Sequence, residues 1–246
     1  MRAMRSVPLA LLPVGAALLA GTTALADNSS QGQSMLNPAG PQAQHISDLW
    51  YIILVPALFV LVLVGGAIIY AAFKFKAKDG DAMPKQIGGN NALEFTWTLV
   101  PALILLGIFI ISATQLPFLR HTPSEAADAM HIKVVGRQWV WNFKYAGLKN
   151  SYPGVLTIPA DEVVNLDINS IDVIHSFSVP RLAGRLDAIP GKNNFMWLQA
   201  PAGTYYGQCT EFCGKAHATM TITVKALPRS DFDTWYSQQP KAPGGS

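Results

Sequence analysis

The sequence predicts a membrane-anchored all-β protein, with two apolar helices in its first half and a β-sandwich or barrel in its second. Three observations lead there. Two nearly uncharged apolar runs occupy residues 49–73 and 95–116, each long enough to cross the hydrocarbon core, which takes about 20 helical residues. Beyond residue 130 the pattern changes to short alternating runs separated by Gly and Pro, as in sandwiches and barrels. Half of the 246 residues are hydrophobic and only 13% are charged, too few for an ordinary soluble chain.

Residues 1–26 have the form of a secretory signal. Arg2 and Arg5 make a positive start, Val7 to Ala20 an apolar centre too short to span, and Ala24-Leu25-Ala26 a small-residue cleavage site. Residues 27–48 form a polar N-terminal segment, and its first part, 27–44, is expected to be mobile because it is rich in Gly, Pro, Ser and Gln. The two-helix transmembrane hairpin is expected over 49–119, with Trp50 and Tyr51 as an aromatic anchor at the interface. Its connecting loop, 74–94, carries Lys74, Lys76, Lys78 and Lys85 against Asp79 and Asp81. By the positive-inside rule that loop is cytoplasmic, so everything after Leu116 lies outside.

Residues 120–130 form a polar linker. The domain at 131–228 is expected to contain eight strands: 131–135, 138–145, 155–158, 163–168, 174–179, 195–198, 204–208 and 219–224. The remainder, 229–246, holds a short amphipathic helix at 231–238 and a disordered tail from Pro240. The formal net charge of +3 makes no case for nucleic acid. From His121 onward eleven basic side chains face ten acidic ones, so no strong field steers a charged partner.

The chemistry is concentrated in Cys209-Thr-Glu-Phe-Cys213-Gly-Lys-Ala-His217-Ala-Thr-Met220, which holds both cysteines of the chain. Thiolate, imidazole and thioether are soft ligands that select copper over hard cations. Two thiolates four residues apart can bridge a pair of ions. One imidazole per ion then requires a second histidine, for which His175, in the strand-like run 173–179, is the candidate. Spacing alone also admits a disulfide, the usual reading of paired cysteines in an exported domain. A disulfide leaves His217 and Met220 unaccounted for, and zinc sites rarely use methionine.

Four motifs occur in order: WTLVPALILL (97–106), GRQWVWNFKY (136–145), VIHSFSVPRLAGRLDAIPG (173–191) and YYGQCTEFCGKAHATM (205–220). Together they resemble cytochrome c oxidase subunit II with its dinuclear copper (CuA) centre. The resemblance implies a cupredoxin-like Greek-key β-sandwich behind the membrane hairpin. It implies that Cys209 and Cys213 bridge two coppers, that His175 and His217 each bind one, and that Met220 and the carbonyl of Glu211 are weak ligands. It also implies that Trp139 is where electrons arrive from cytochrome c, although Arg137 and Val140 replace the commoner His and Tyr beside it. Trp141 is expected in the core.

The same resemblance implies that Glu211 and Asp187 help hold a magnesium ion at the boundary with subunit I. It makes Glu94 a candidate for the cytoplasmic mouth of a proton pathway, although an acidic residue there is equally ordinary helix-dipole chemistry. The implied function is that of a subunit of a respiratory oxidase in a bacterial inner membrane. It accepts electrons from cytochrome c and passes them to haem in subunit I for dioxygen reduction coupled to proton translocation. Two other readings are weighed against it. A quinol-oxidase subunit II shares the fold but lacks the copper ligands, and a stand-alone anchored copper carrier does not account for the GRQWVWNFKY and DAIPG runs.

Overall fold

A computed structural model describes residues 32–77, 80, 82–123 and 128–242. The secretory signal expected at 1–26 lies outside the described residues, as do Lys78, Asp79 and Asp81 of the loop between the helices. Among the described residues two long helices come first, α1 (Pro41–Lys74) and α2 (Asn91–Arg120). Both are long and apolar enough to cross a membrane, and their most apolar stretches are entirely unburied within the chain. Such a surface is stable only against lipid or other protein.

α1 begins at Pro41, eight residues before the apolar run. Pro suits the first helical position because its missing N–H would have had no partner there. The polar residues that disguised this turn in the sequence, Gln42 and Ser47, are buried against the rest of the chain. The expectation of a mobile segment over 27–44 is therefore corrected for its described part. The Ala39 and Gly40 N–H groups donate to the Arg181 carbonyl at 2.7 and 3.0 Å, and Arg181 Nε donates to the Asn37 carbonyl at 2.8 Å. Residues 37–43 form a strap laid along the sandwich.

α2 is capped at its N-terminal end. Asn90 Oδ1 accepts from the Leu93 N–H at 3.1 Å, and Glu94 Oε1 accepts from the Asn90 N–H at 3.2 Å, a reciprocal arrangement that satisfies two orphan donors.

Among the described residues ten strands follow, in two five-stranded sheets. One has the order β3 (Ser151–Pro153), β2 (Val140–Tyr145), β1 (Met130–Arg137), β5 (Val164–Ser170) and β8 (Asn194–Leu198). The other runs β4 (Val155–Pro159), β10 (Thr221–Leu227), β9 (Gly203–Cys209), β6 (His175–Ser178) and β7 (Arg185–Ala188). β1 with β5 and β4 with β10 are parallel, and the other pairs are antiparallel. The inward residues of both sheets alternate as period-2 strands require, and they form one core that includes Ile132, Val134, Phe143, Leu166, Ile168, Phe177, Ile222 and Val224.

Two of these strands, β3 and β7, were not expected, and Gln138 and Trp139 lie in a turn between β1 and β2 rather than in a strand. A short helix, α3 (Arg229–Ser237), follows β10. The expected disorder of the tail is corrected at its start. Lys149 N–H donates to the Pro240 carbonyl at 2.9 Å, and Ala242 N–H donates to the Gly147 carbonyl at 3.0 Å.

Candidate metal centre

The site is built at one end of the sandwich, from β6, the end of β9 and the loop that follows. β6 and β9 are antiparallel neighbours with Phe177 opposite Cys209. That register carries His175, at the start of β6, to the side of the cysteine loop. His175 is completely buried, with Nδ1 4.0 Å from Cys209 Sγ. The loop returns on itself through a short 3-10 turn, His217–Thr219, and the Cys209 N–H donates to the Met220 carbonyl at 2.9 Å. This closure places both ends of the twelve-residue motif side by side.

All six donors expected from the sequence converge. Cys209 Sγ and Cys213 Sγ are 3.9 Å apart and unbonded. His217 Nδ1 lies 3.4 Å from Cys213 Sγ, Met220 Sδ lies 3.8 Å from it, and the Glu211 carbonyl oxygen lies 3.3 Å from Cys209 Sγ. Among the described residues, His175, Cys209 and Cys213 are the only His, Cys, Asp or Glu group with atoms close enough to share an ion. The donor set is soft throughout except for one carbonyl, which fits copper. Burial pushes the Cys213 thiol up to about 11, and the neighbouring Cys209 adds to the rise. A metal must therefore displace a firmly held proton, which ties uptake to pH.

Asp172, which the sequence reading passed over, holds this arrangement together. Its Oδ1 is 2.8 Å from His175 Nε2, leaving Nδ1 to face the sulfurs. It also accepts from the backbone N–H of Val173 at 2.7 Å and of Gln138 at 2.7 Å. Partial burial alone would raise its carboxyl, but those backbone donors and His175 outweigh it and hold it down to about 2. A carboxylate on the far nitrogen of an imidazole is the usual device for orienting a metal-binding histidine. Gly136 was missed for a different reason. A Cβ there would lie 2.9 Å from His175 Cδ2 and 3.2 Å from Trp141 Cζ3, so the ring occupies space that only glycine leaves free.

Trp139 sits in the turn between β1 and β2 and is 37% exposed. A Cβ on Gly214, next to Cys213, would lie 3.4 Å from Trp139 Nε1, so the indole lies against the cysteine loop. Gln138 Nε2 donates to the Cys213 carbonyl at 2.8 Å and fastens the two together. Trp141 is fully buried, edge-on to His175 and Phe177 at 5.8 and 5.4 Å between ring centroids.

The remaining candidates are less closely gathered. Asp187 faces Ser176 across the β6–β7 pair, and Glu211 is half-buried in the loop. Among the described residues no third carboxylate, histidine or cysteine joins them at metal-ligand spacing. Glu94 is at the opposite end of α2, about 25 helical residues or roughly 38 Å from where that helix meets the sandwich.

Comparison with known proteins agrees with this architecture. Residues 28–114 match the model of the cytochrome c oxidase subunit II transmembrane domain, and residues 152–227 match that of its periplasmic domain. The chain is 37% identical over 205 residues to cytochrome c oxidase subunit 2 of Alkalihalophilus pseudofirmus, an alignment covering 81% of this chain and 60% of that protein. It is 31% identical over 226 residues to probable cytochrome c oxidase subunit 2 of Rickettsia bellii, covering 83% of this chain and 82% of the relative. The periplasmic domain of cytochrome oxidase subunit II from Bradyrhizobium japonicum is a further similar structure, with 31% identity and a TM-score of 0.43 over 45% of this chain and 92% of that one. Two domain matches in the expected order, with relatives aligned along most of its length, place this membrane-anchored chain in the cytochrome c oxidase subunit II family.

Proposed function

We propose that this chain is the electron-accepting subunit of a respiratory cytochrome c oxidase in a bacterial inner membrane. Cys209, Cys213, His175 and His217 would hold a dinuclear copper centre, with Met220 and the Glu211 carbonyl as weaker donors. Electrons would arrive from cytochrome c through Trp139 and leave for haem in a partner subunit, where dioxygen is reduced and protons are translocated. The observation that carries this reading is the convergence of two unbonded thiols, two imidazoles and a thioether within 3.4–4.0 Å contacts. A bound copper pair would supply a one-electron couple shared over two metals.

The chain's own residues supply what such a couple needs. Both sulfurs and Met220 are almost wholly buried, and His175 is completely so, which keeps water from rearranging around the site when charge changes. β6 and β9 fix His175 and Cys209 in one sheet, and Asp172 fixes the ring's orientation. The indole of Trp139 reaches from the surface to the cysteine loop, which supports its role as the point where electrons come in. On the same reading, Glu211 and Asp187 offer oxygens to a magnesium ion shared with the partner subunit. Glu94, besides capping α2, would stand at the cytoplasmic mouth of a proton pathway.

The test is metal content and spectroscopy. Full-length chain purified in detergent, reduced and given copper, is expected to bind two coppers per chain and give a seven-line mixed-valence paramagnetic signal. One copper with a four-line signal, or a reduced cysteine pair that takes up no copper, would overturn the proposal.

A further inference from the structure

A cavity of about 470 Å³ lies at the joint between the membrane helices and the sandwich. Ile46 of α1 and Leu119 and Arg120 of α2 form one side, and Arg185 of β7 with Phe195 and Met196 of β8 form the other. Three features of this cavity bear on what it holds. Its depth is that of the membrane boundary, because Arg120 is the last residue of α2 and lies about one turn beyond the end of the apolar run. Its charge is of one sign: Arg120 and Arg185 line it, and no lining residue is acidic. Among the described residues neither arginine forms an ion pair, and Arg185 has only a 3.5 Å contact from Nη1 to the Thr210 carbonyl. Its walls are otherwise largely apolar.

We propose that this cavity seats the phosphate of an anionic phospholipid. Arginine is the side chain best suited to phosphate, since its planar fork can donate two parallel hydrogen bonds. Basic pockets between membrane helices on the cytoplasmic side recognise anionic headgroups in this way, and the same chemistry is open to arginines on the outer side. The volume suits a glycerophosphate headgroup and is too small for a whole lipid, so the acyl chains would leave the cavity along the exposed apolar surfaces of α1 and α2. A free phosphate ion would satisfy the arginines and leave Ile46, Leu119 and Phe195 without a partner. A zwitterionic headgroup would bring an ammonium group to a cavity already holding two positive charges.

Headgroup binding here would brace the joint at the level where the bilayer ends. It does not depend on copper at the other site.

Native mass spectrometry of the full-length chain, stripped of lipid in detergent and titrated with dioleoylphosphatidylglycerol, tests the proposal. One tightly retained lipid per chain is expected, with dioleoylphosphatidylcholine held much more weakly and inorganic phosphate failing to displace it. At roughly tenfold per charge-assisted hydrogen bond lost, Arg120→Gln with Arg185→Gln should weaken retention on the order of a hundredfold. The double variant should keep its unfolding midpoint, because neither side chain is buried. Equal retention of both lipids, or retention unaffected by the double substitution, would overturn the proposal. Displacement by inorganic phosphate would reduce the cavity to an anion site and also count against it. A double variant that retains the lipid but loses an oxidase partner subunit on purification would identify the two arginines as a subunit contact instead.

Discussion

Asp172 occupies the position in which one side chain can control the most at the site. It takes two backbone N–H groups from different segments and bonds the ring of His175. Replacing it with Asn keeps the shape and one acceptor oxygen while removing the charge. In the metal-free chain, Asp172→Asn is expected to lower stability near neutral pH by roughly 1–2 kcal/mol, the difference between charge-assisted and neutral hydrogen bonds. The pH dependence has a definite sign. The carboxyl is held down to about 2 in the folded chain, below its ordinary value of about 3.9. Its contribution is therefore complete above the ordinary value and is lost as pH falls from about 4 towards 2. Unfolding curves for wild type and variant should lie apart at pH 6 and draw together at pH 3 and below. A separation that stayed constant to pH 2 would show that the charge contributes nothing.

Among elements, the turn between β1 and β2 and the cysteine loop form one unit, fastened by the bond from Gln138 to the Cys213 carbonyl. Gly214 makes their close approach feasible. Its φ of +120° is a region that residues with a side chain rarely adopt, and a Cβ would lie 2.9 Å from Gln138 Nε2. Gly214→Ala is expected to cost about 1–3 kcal/mol through backbone strain and to push the Trp139 indole outward. Donor oxidation should then fall while copper content is retained. Unchanged tryptophan emission and unchanged oxidation kinetics would refute this.

Elements differ in how far the sequence announces them. The cysteine loop is local, so its spacing carries its chemistry, and the apolar spans announce themselves by composition. Gln138 and Gly136 act across strand pairs and loops about 34 to 75 residues apart, and no local pattern encodes such a contact. Asp172 lies only three residues before His175, but a single acid at that spacing is too common to stand out, and its bond to the Gln138 N–H is again remote. The unexpected strands are both sheet edges, where Pro153 in β3 and the charged pair Arg185 and Asp187 in β7 are tolerated because one side of the strand is unpaired. The first turns of α1 went unread because their polar residues pack on the sandwich instead of entering lipid.

At the scale of the whole molecule, the proposed transfer to a haem in another subunit would require the cysteine-loop end of the sandwich to stand at a fixed height and angle over the membrane. A flexible linker at 120–130 would not achieve that, and the described part of this region is tied down. Trp197 Nε1 donates to the Phe118 carbonyl at 3.1 Å and meets the Phe118 ring edge-on at 5.3 Å. His45 of α1 lies tilted against that ring at 4.0 Å between centroids and bonds Gln115 of α2 at 2.8 Å. Thr122 Oγ1 donates to Asn165 Oδ1 at 2.8 Å. The Phe118 carbonyl is in the last turn of α2, where carbonyls have no partner within the helix, so the indole N–H satisfies a group that would otherwise need water. Trp197→Phe removes that donor while retaining an aromatic ring, at a cost of about 1 kcal/mol. The loss should be local. Amide exchange should accelerate over residues 115–123, the sandwich core should exchange as before, and electron transfer from the copper site to the partner haem should slow or become heterogeneous with cytochrome c oxidation at the site unchanged. Faster exchange spread evenly over both sheets would show that Trp197 supports the core and not the joint, and the argument that this hydrogen bond sets the sandwich over the membrane would fail.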